Sequence, residues 1–187
     1  MDKVMVALAS GSEEIEAVTI IDVLRRAEIE VDVVSVDADE QLQITASRGV
    51  KLVADKLLSQ ISANDYCMFV LPGGVPGSER FRDSEDLITM LQQRHAQQWL
   101  AAICAAPAIV LAHHQLLGRA QVTGHPVFQQ RLPKTQRTKQ RVVVDHPHKL
   151  ITSQGPGTAI EFSLALVAQI KGQALADSIA IPMIMAK

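Results

Sequence analysis

The strongest constraint on the fold lies at the start of the chain. Val4-Met-Val-Ala-Leu-Ala9 is an unbroken apolar run. A strand with one wet face alternates apolar and polar side chains, so an unbroken run predicts a strand covered on both faces, as in a parallel sheet under helices. Ser10-Gly11-Ser12 supplies a turn, with Ser12 placed to cap a helix whose first turn is crowded by Glu13, Glu14 and Glu16. Ile15, Val18, Ile21 and Leu24 recur at helical spacing as far as about Arg26, and Val31, Val33, Val34 and Val36 then mark a second strand. Strand, helix, strand in so short a span implies a parallel pair joined by a right-handed crossover.

The rest of the chain continues the alternation. Gln41 to Val53 reads as two short strands around Ser47-Arg48-Gly49, and Tyr66 to Leu71 as a buried strand closed by Pro72-Gly73-Gly74. A helix runs from a Ser84 cap to about Gln98, followed by a strand at Leu100 to Ile103 and a helix from Ala105 to His113 that ends near Gly118. Gln121 to Thr123 is a short strand, and Lys134 to Arg141 a polar, basic loop. Val142 to Val144 and Leu150 to Thr152 form a hairpin around Asp145-His-Pro-His148. Thr158 to Ile170 is an apolar helix broken by Gly172, and a last short helix reaches the end. The fold class is therefore α/β: one domain, residues 1–187, with helices on both faces of a mostly parallel sheet.

Composition narrows the function classes. A net charge of −2 and 48% hydrophobic content give no electrostatic reason for a nucleic-acid or membrane partner. The basic loop at Lys134 to Arg141 reads as solvated surface. No apolar run reaches the roughly 18 residues that span a bilayer, and the chain enters its first strand without a signal-peptide pattern, so the expected location is cytoplasmic. Two cysteines do not make a disulfide framework.

The chemistry gathers at Leu100-Ala-Ala-Ile-Cys-Ala-Ala-Pro-Ala108. A strand runs into a helix with no linker, and Cys104 stands at the bend, in nucleophile-elbow geometry. The helix start would add free N–H groups and positive dipole beside the sulfur, so a depressed thiol pKa is expected. The competing reading is a small core hydrophobe, the common use of a free cysteine. Function in open α/β sheets collects at the carboxyl ends of the strands. Glu16 falls there if Ile15 points to the core; a carboxyl beside a thiolate keeps its proton and serves as general acid, although three glutamates also simply suit a helix N-terminus. Gly73 and Gly74, with the Ala105 N–H, fit an oxyanion hole or a plain turn. His125 fits a base for Cys104 or a structural loop histidine. Cys67 is expected inside a strand and inert. Asp145, His146 and His148 offer metal-ligand chemistry without enough partners, so neither metal nor cofactor is assigned.

Seven segments carry a resemblance that spans nearly the whole chain: Gly11-Ser-Glu-Glu-Ile-Glu16, Asp22-Val-Leu-Arg-Arg26, Ser47-Arg48, Val70-Leu-Pro-Gly-Gly74, Ala101-Ala-Ile-Cys-Ala-Ala-Pro107, His125-Pro126 and Thr152-Ser-Gln-Gly-Pro-Gly-Thr158. In them the sequence resembles the ThiJ/PfpI superfamily, in the branch of the parkinsonism-associated protein deglycase and its bacterial relatives. The resemblance implies a flavodoxin-like three-layer sandwich that forms a homodimer. It implies that Cys104 is an oxidisable nucleophile with protonated Glu16 as partner, Gly74 and Ala105 as N–H donors and His125 nearby. Arg26, Arg48, Gly155 and Pro156 would line the site or the subunit boundary. The superfamily's peptidases place a histidine directly after the nucleophile; here that residue is Ala105, which argues against proteolysis.

Two functions follow from this resemblance. One is a stress-response enzyme acting on small aldehydes or glycated proteins, of the deglycase or cofactor-independent glyoxalase type. The other is a redox-sensing chaperone for unfolded proteins, in which Cys104 is oxidised to sulfinate with little turnover. Both need the same activated thiol.

Overall fold

The computed structural model describes residues 2–184. Strand β1 (Lys3–Leu8) leads through a tight turn into helix α1 (Glu14–Arg26), which returns to β2 (Glu30–Ser35). A two-stranded antiparallel ribbon follows, β3 (Gln43–Thr45) with β4 (Lys51–Val53), then a short β5 (Lys56–Leu57). Next come β6 (Met68–Leu71), helices α2 (Val75–Asp83) and α3 (Glu85–Gln92), and β7 (Trp99–Ile103). A wide-wound π-helix over Pro107–Ala112, the elbow helix, leaves β7. The hairpin β8 (Val142–Asp145) and β9 (Leu150–Ser153) precedes α4 (Ala159–Lys171) and α5 (Gln173–Ala180).

The seven-stranded sheet has the order β5-β2-β1-β6-β7-β9-β8, parallel except for β8. Its central run, β2-β1-β6-β7-β9, is the flavodoxin-like order, and the winding direction reverses between β1 and β6. Alternation along the strands builds two separate cores. Val4, Val6, Leu8, Met68, Val70, Ala101 and Ile103 face α1 and α4, meeting Ile20, Leu24, Phe162 and Leu166. Met5, Ala7, Phe69, Leu71, Leu100 and Ala102 face the other way, against Phe81, Leu87, Leu91 and Val110. The apolar runs seen in the sequence are continuous because both faces of each central strand are covered.

Several sequence expectations are corrected. Val75–Asp83, to which the sequence reading assigns no element, forms α2, starting from the Gly74 turn with Pro76 in its first turn, where the missing N–H costs nothing. Ser84 does cap α3, accepting from Leu87 N, but the helix stops at Gln92, well short of Gln98. Gln121 to Thr123 is not a strand; it contributes one bridge, Val122 to Arg137. Ser12 is not a helix cap, since its hydroxyl accepts from Ala9 N inside the turn. The core stripe of α1 lies one residue away from the expected one. Ala17, Ile20, Val23 and Leu24 are buried, while Ile15 and Val18 are 56% and 46% exposed. Both stripes have helical period, and the burial of Glu16 decides between them. The last helix stops at Ala180, a short 3-10 turn covers Ile181–Met183, and residues 185–187 lie outside the described part.

Phe162 is fully buried where α4 meets α1, the helix that carries Glu16. Phe162→Ala removes a large side chain from a packed interior, so urea denaturation should show a loss of about 3–5 kcal/mol. A loss below about 1 kcal/mol would mean that the α1–α4 contact does not hold the helix in place.

Candidate active site

The centre of the site is backbone geometry. β7 ends at Ile103, and Cys104 takes φ +66°, a left-handed conformation that a residue with a Cβ adopts only when its surroundings enforce it. Two hydrogen bonds do so. Cys104 N donates to Ser153 O at 3.0 Å, and Cys104 O accepts from His125 N at 2.8 Å. The bend is thus clamped by the ends of β9 and of the Gly124 loop. Pro107 opens the elbow helix without an N–H of its own, and the Ala105 N–H is turned to the sulfur instead of into the helix.

Glu16 comes to the sulfur from α1. It is fully buried, and its Oε2 accepts from Gly73 N at 2.7 Å. The sequence expectation had Ile15 pointing to the core and Glu16 beside it; the helix is rotated so that Ile15 faces out and the carboxyl itself faces in. Gly73 is required for this contact. A Cβ on Gly73 would lie 2.5 Å from Cys104 Cβ, 2.6 Å from Glu16 Oε2 and 3.0 Å from Cys104 Sγ. Gly74 has φ +85°, and a Cβ there would run into the Gly11 carbonyl. The two glycines therefore have distinct jobs. The Gly73 N–H is occupied by Glu16, which removes it from the expected oxyanion hole, while Gly74 and Ala105 N–H groups face the sulfur.

The electrostatics correct the expected low thiol pKa. Burial, with Glu13 as a like charge nearby, raises the Glu16 carboxyl to about 7. Burial and the adjacent Glu16 carboxylate push the Cys104 thiol up to about 12, against the Gly74 and Ala105 N–H groups, which favour the thiolate. Cys104 is only 9% exposed, so the helix start does not offset the loss of water around the sulfur. Two groups this close titrate as one system. The first proton leaves near neutrality and the second resists, so above about pH 7 the pair holds one proton and one negative charge. Moving that proton from sulfur to carboxyl gives thiolate beside acid. Glu16 Oε1 is buried with no hydrogen-bond partner, so the carboxyl has an oxygen free to serve a reacting group.

The other expected residues separate into those near the site and those away from it. His125 gives Cys104 a backbone N–H, while its ring Nδ1 accepts from Val127 N at 3.3 Å and its ring packs on Phe128; the imidazole is held by its own segment. Gly155 abuts that ring, and Pro156 opens the turn behind it. Arg48 is exposed, and its backbone N donates to Glu14 Oε1 at 2.8 Å. Arg26 pairs with Asp22 at the far end of α1, roughly 15 Å along the helix from Glu16, and does not line the site. Cys67 is half-buried just ahead of β6, beside Lys3 and Trp99 at the opposite end of the sheet from Cys104. It is therefore not inside a strand, as expected, but it remains out of reach across about 16 Å of strand.

Sequence reasoning missed the clasp that seats α1. Glu13 Oε2 and Glu14 Oε2 both lie 2.7 Å from Ser47 Oγ, tying the β3–β4 ribbon to the helix start. The signal lies in Ser47-Arg48, where the serine hydroxyl rather than the arginine side chain makes the contact. A wider recess of about 680 Å3 opens between Ser10, Asp37 and Arg80, away from the sulfur, and its lining contains neither cysteine nor histidine. Among the described residues, no three His, Cys, Asp or Glu side chains converge to hold a metal ion, and no helix is long and apolar enough to cross a membrane.

Comparison with known proteins places this geometry. The chain is 45% identical over 172 residues to Protein DJ-1 homolog B of Arabidopsis thaliana, covering 91% of this chain and 38% of that protein. It spans less than half the length of both Arabidopsis relatives, homologs A and B. It is 32% identical over 179 residues to the Glutathione-independent glyoxalase DJ-1 of Schizosaccharomyces pombe, covering 91% of this chain and 92% of that one. The solved structure of oxidized Toxoplasma gondii DJ-1 superposes with a TM-score of 0.93 at 44% identity, covering 100% of both chains. Residues 2–169 match the sequence profile of the DJ-1/PfpI family, and with that span and these relatives the chain belongs to the DJ-1/PfpI family.

Proposed function

We propose that the protein consumes reactive aldehydes such as methylglyoxal, or removes their adducts from proteins, as a cofactor-independent glyoxalase or deglycase in a stress response. The observation that carries this reading is the buried Glu16 carboxyl beside Cys104, anchored through Oε2 and free at Oε1. The glyoxalase name of the Schizosaccharomyces pombe relative supports the same chemistry. Cys104 thiolate attacks the aldehyde carbon, and the aldehyde oxygen takes the proton held on Glu16. The Glu16 carboxylate then removes the proton from the former aldehyde carbon, giving an enediol that is reprotonated on the neighbouring carbon. The product is a thioester on Cys104. Water hydrolyses it, releasing lactate from methylglyoxal or glycolate from glyoxal and restoring the thiol. The Gly74 and Ala105 N–H groups are the donors for the developing oxyanion. In this reading the protein works in the cytoplasm as a homodimer, paired through the outward apolar face of α1 at Ile15 and Val18.

Lactate release from methylglyoxal by the purified protein tests the proposal. Cys104→Ala should abolish it. Glu16→Gln should lower it about 10²–10⁴-fold, the range that general acid–base groups contribute. Gly73→Ala should fall with them while circular dichroism stays unchanged. Wild-type protein that releases no lactate, or activity that survives in Cys104→Ala, would overturn the enzyme reading.

A second reading, a redox-sensing chaperone, is supported by the position of Cys67. A peroxide-derived sulfenic acid on Cys104 has no second thiol within reach to resolve it, so oxidation proceeds to sulfinate, with the Glu16 acid and the two N–H groups as donors to its oxygens. Intact-mass analysis under mild peroxide should show a gain of two oxygens on Cys104, with holdase activity appearing as it forms. A Cys67–Cys104 disulfide as the main product would contradict it.

A further inference from the structure

The three segments that leave the active site meet again behind it. α2 starts at the Gly74 turn, the elbow helix at Cys104, and a 3-10 helix over Pro126–Arg131 directly after His125. α2 packs on the elbow helix, and the elbow helix on the Pro126–Arg131 segment. Between them lies a surface recess of about 250 Å3, lined by Arg82, Ala108, Ile109, Ala112, His113 and Arg131. No carboxylate is part of this lining, although Asp83, paired with Arg82 and near His113, borders it. Two guanidiniums and an imidazole stand around a small apolar floor.

The two arginines are held in different ways. Arg131 lies over the Phe128 ring at 5.4 Å, and among the described residues no carboxylate pairs with it. Arg82 has its Nε and Nη2 taken by Asp83 at 2.7 and 2.8 Å, which leaves Nη1 to donate elsewhere. The end of α2 is fixed against the elbow helix by His114 Nε2, 2.8 Å from Arg82 O. The two guanidiniums are therefore held without a ligand, one by Asp83 and one by the Phe128 ring. A planar fork of N–H donors matches the oxygens of a phosphate, and a volume this small admits a phosphate with a few carbons. The recess also has a physical link to the site. Arg131 stacks on Phe128, Phe128 packs on His125 at 5.9 Å between ring centroids, and His125 N holds the Cys104 carbonyl.

We propose that this recess is a binding site for a small phosphomonoester, with the phosphate between Arg82, His113 and Arg131 and the carbon portion on Ala108, Ile109 and Ala112. The site is separate from the aldehyde chemistry proposed above and stands whether or not that chemistry occurs. Its test uses the whole chain and glycerol 3-phosphate as probe, at constant ionic strength set with potassium chloride, followed by melting temperature and by amide chemical shifts of the elbow helix. A saturable response is expected, weakened at least tenfold in Arg131→Gln and unchanged in Lys134→Gln, a nearby basic residue outside the recess. Asp83→Asn, which frees the remaining Arg82 donors, should tighten binding several-fold. Inorganic phosphate, lacking the carbon portion, should bind several-fold more weakly. No saturable response, or equal losses in Arg131→Gln and Lys134→Gln, would overturn the site. Equal affinity for inorganic phosphate and the ester would overturn the ester as its occupant.

Discussion

One proton shared by two buried groups is the constraint around which this structure is arranged. A carboxylate and a thiolate side by side in a dry interior would repel each other, and neither could be solvated. Above about pH 7 the pair therefore carries a single negative charge. Everything around it fixes where that charge rests. Gly73 N–H anchors one carboxyl oxygen, Gly74 and Ala105 N–H groups face the sulfur, and Glu16 Oε1 stays open. Chemistry then needs only a proton moved over a short distance, with little rearrangement of the surroundings.

The sheet makes this arrangement possible. Its winding reverses between β1 and β6, so the turns after these two strands diverge and leave a crevice at their carboxyl ends. α1 enters from one turn with Glu16, and the Gly73-Gly74 turn closes from the other. β7, next in the sheet, brings Cys104 to the same edge. The left-handed backbone at Cys104 survives because strand and loop backbone bond it from both sides. The strain is carried by the most buried part of the sheet, where it is least able to relax.

The legible features of the sequence were those with a strong local signal. Unbroken apolar runs gave the parallel sheet, and Cys104 between a strand and a helix without a cushioning glycine gave the elbow. What escaped depended on tertiary contact. The face of α1 could not be chosen from periodicity, because Ile15, Val18, Ile21 and Leu24 form as good a stripe as Ala17, Ile20, Val23 and Leu24. Only the burial of a carboxylate, which propensity rules treat as improbable, selects the second. α2 was hidden by Pro76 and Gly77, residues that read as loop but here lie in the first turn of a helix packed closely on Ser12. The thiol pKa was misjudged because a helix N-terminus is visible in sequence while the depth of the sulfur is not. Arg26 was placed by family resemblance, and its distance along α1 moves it away from the sulfur.

The central claim is that Glu16 and Cys104 share a proton, so that thiolate appears when the pair, not the isolated thiol, ionises. The rate of Cys104 alkylation against pH, resolved by mass spectrometry, tests it directly. In the wild-type protein the rate should rise through about pH 7, where the pair loses its first proton. In Glu16→Gln the thiol must ionise alone in a buried setting that raises its pKa, so the rise should move above the ordinary thiol range near 8.5. At pH 7.5 the wild-type rate should therefore be levelling off, while the variant's still climbs about tenfold per pH unit. A single curve shared by both proteins, or a wild-type rate that rises only above pH 9, would contradict the shared proton.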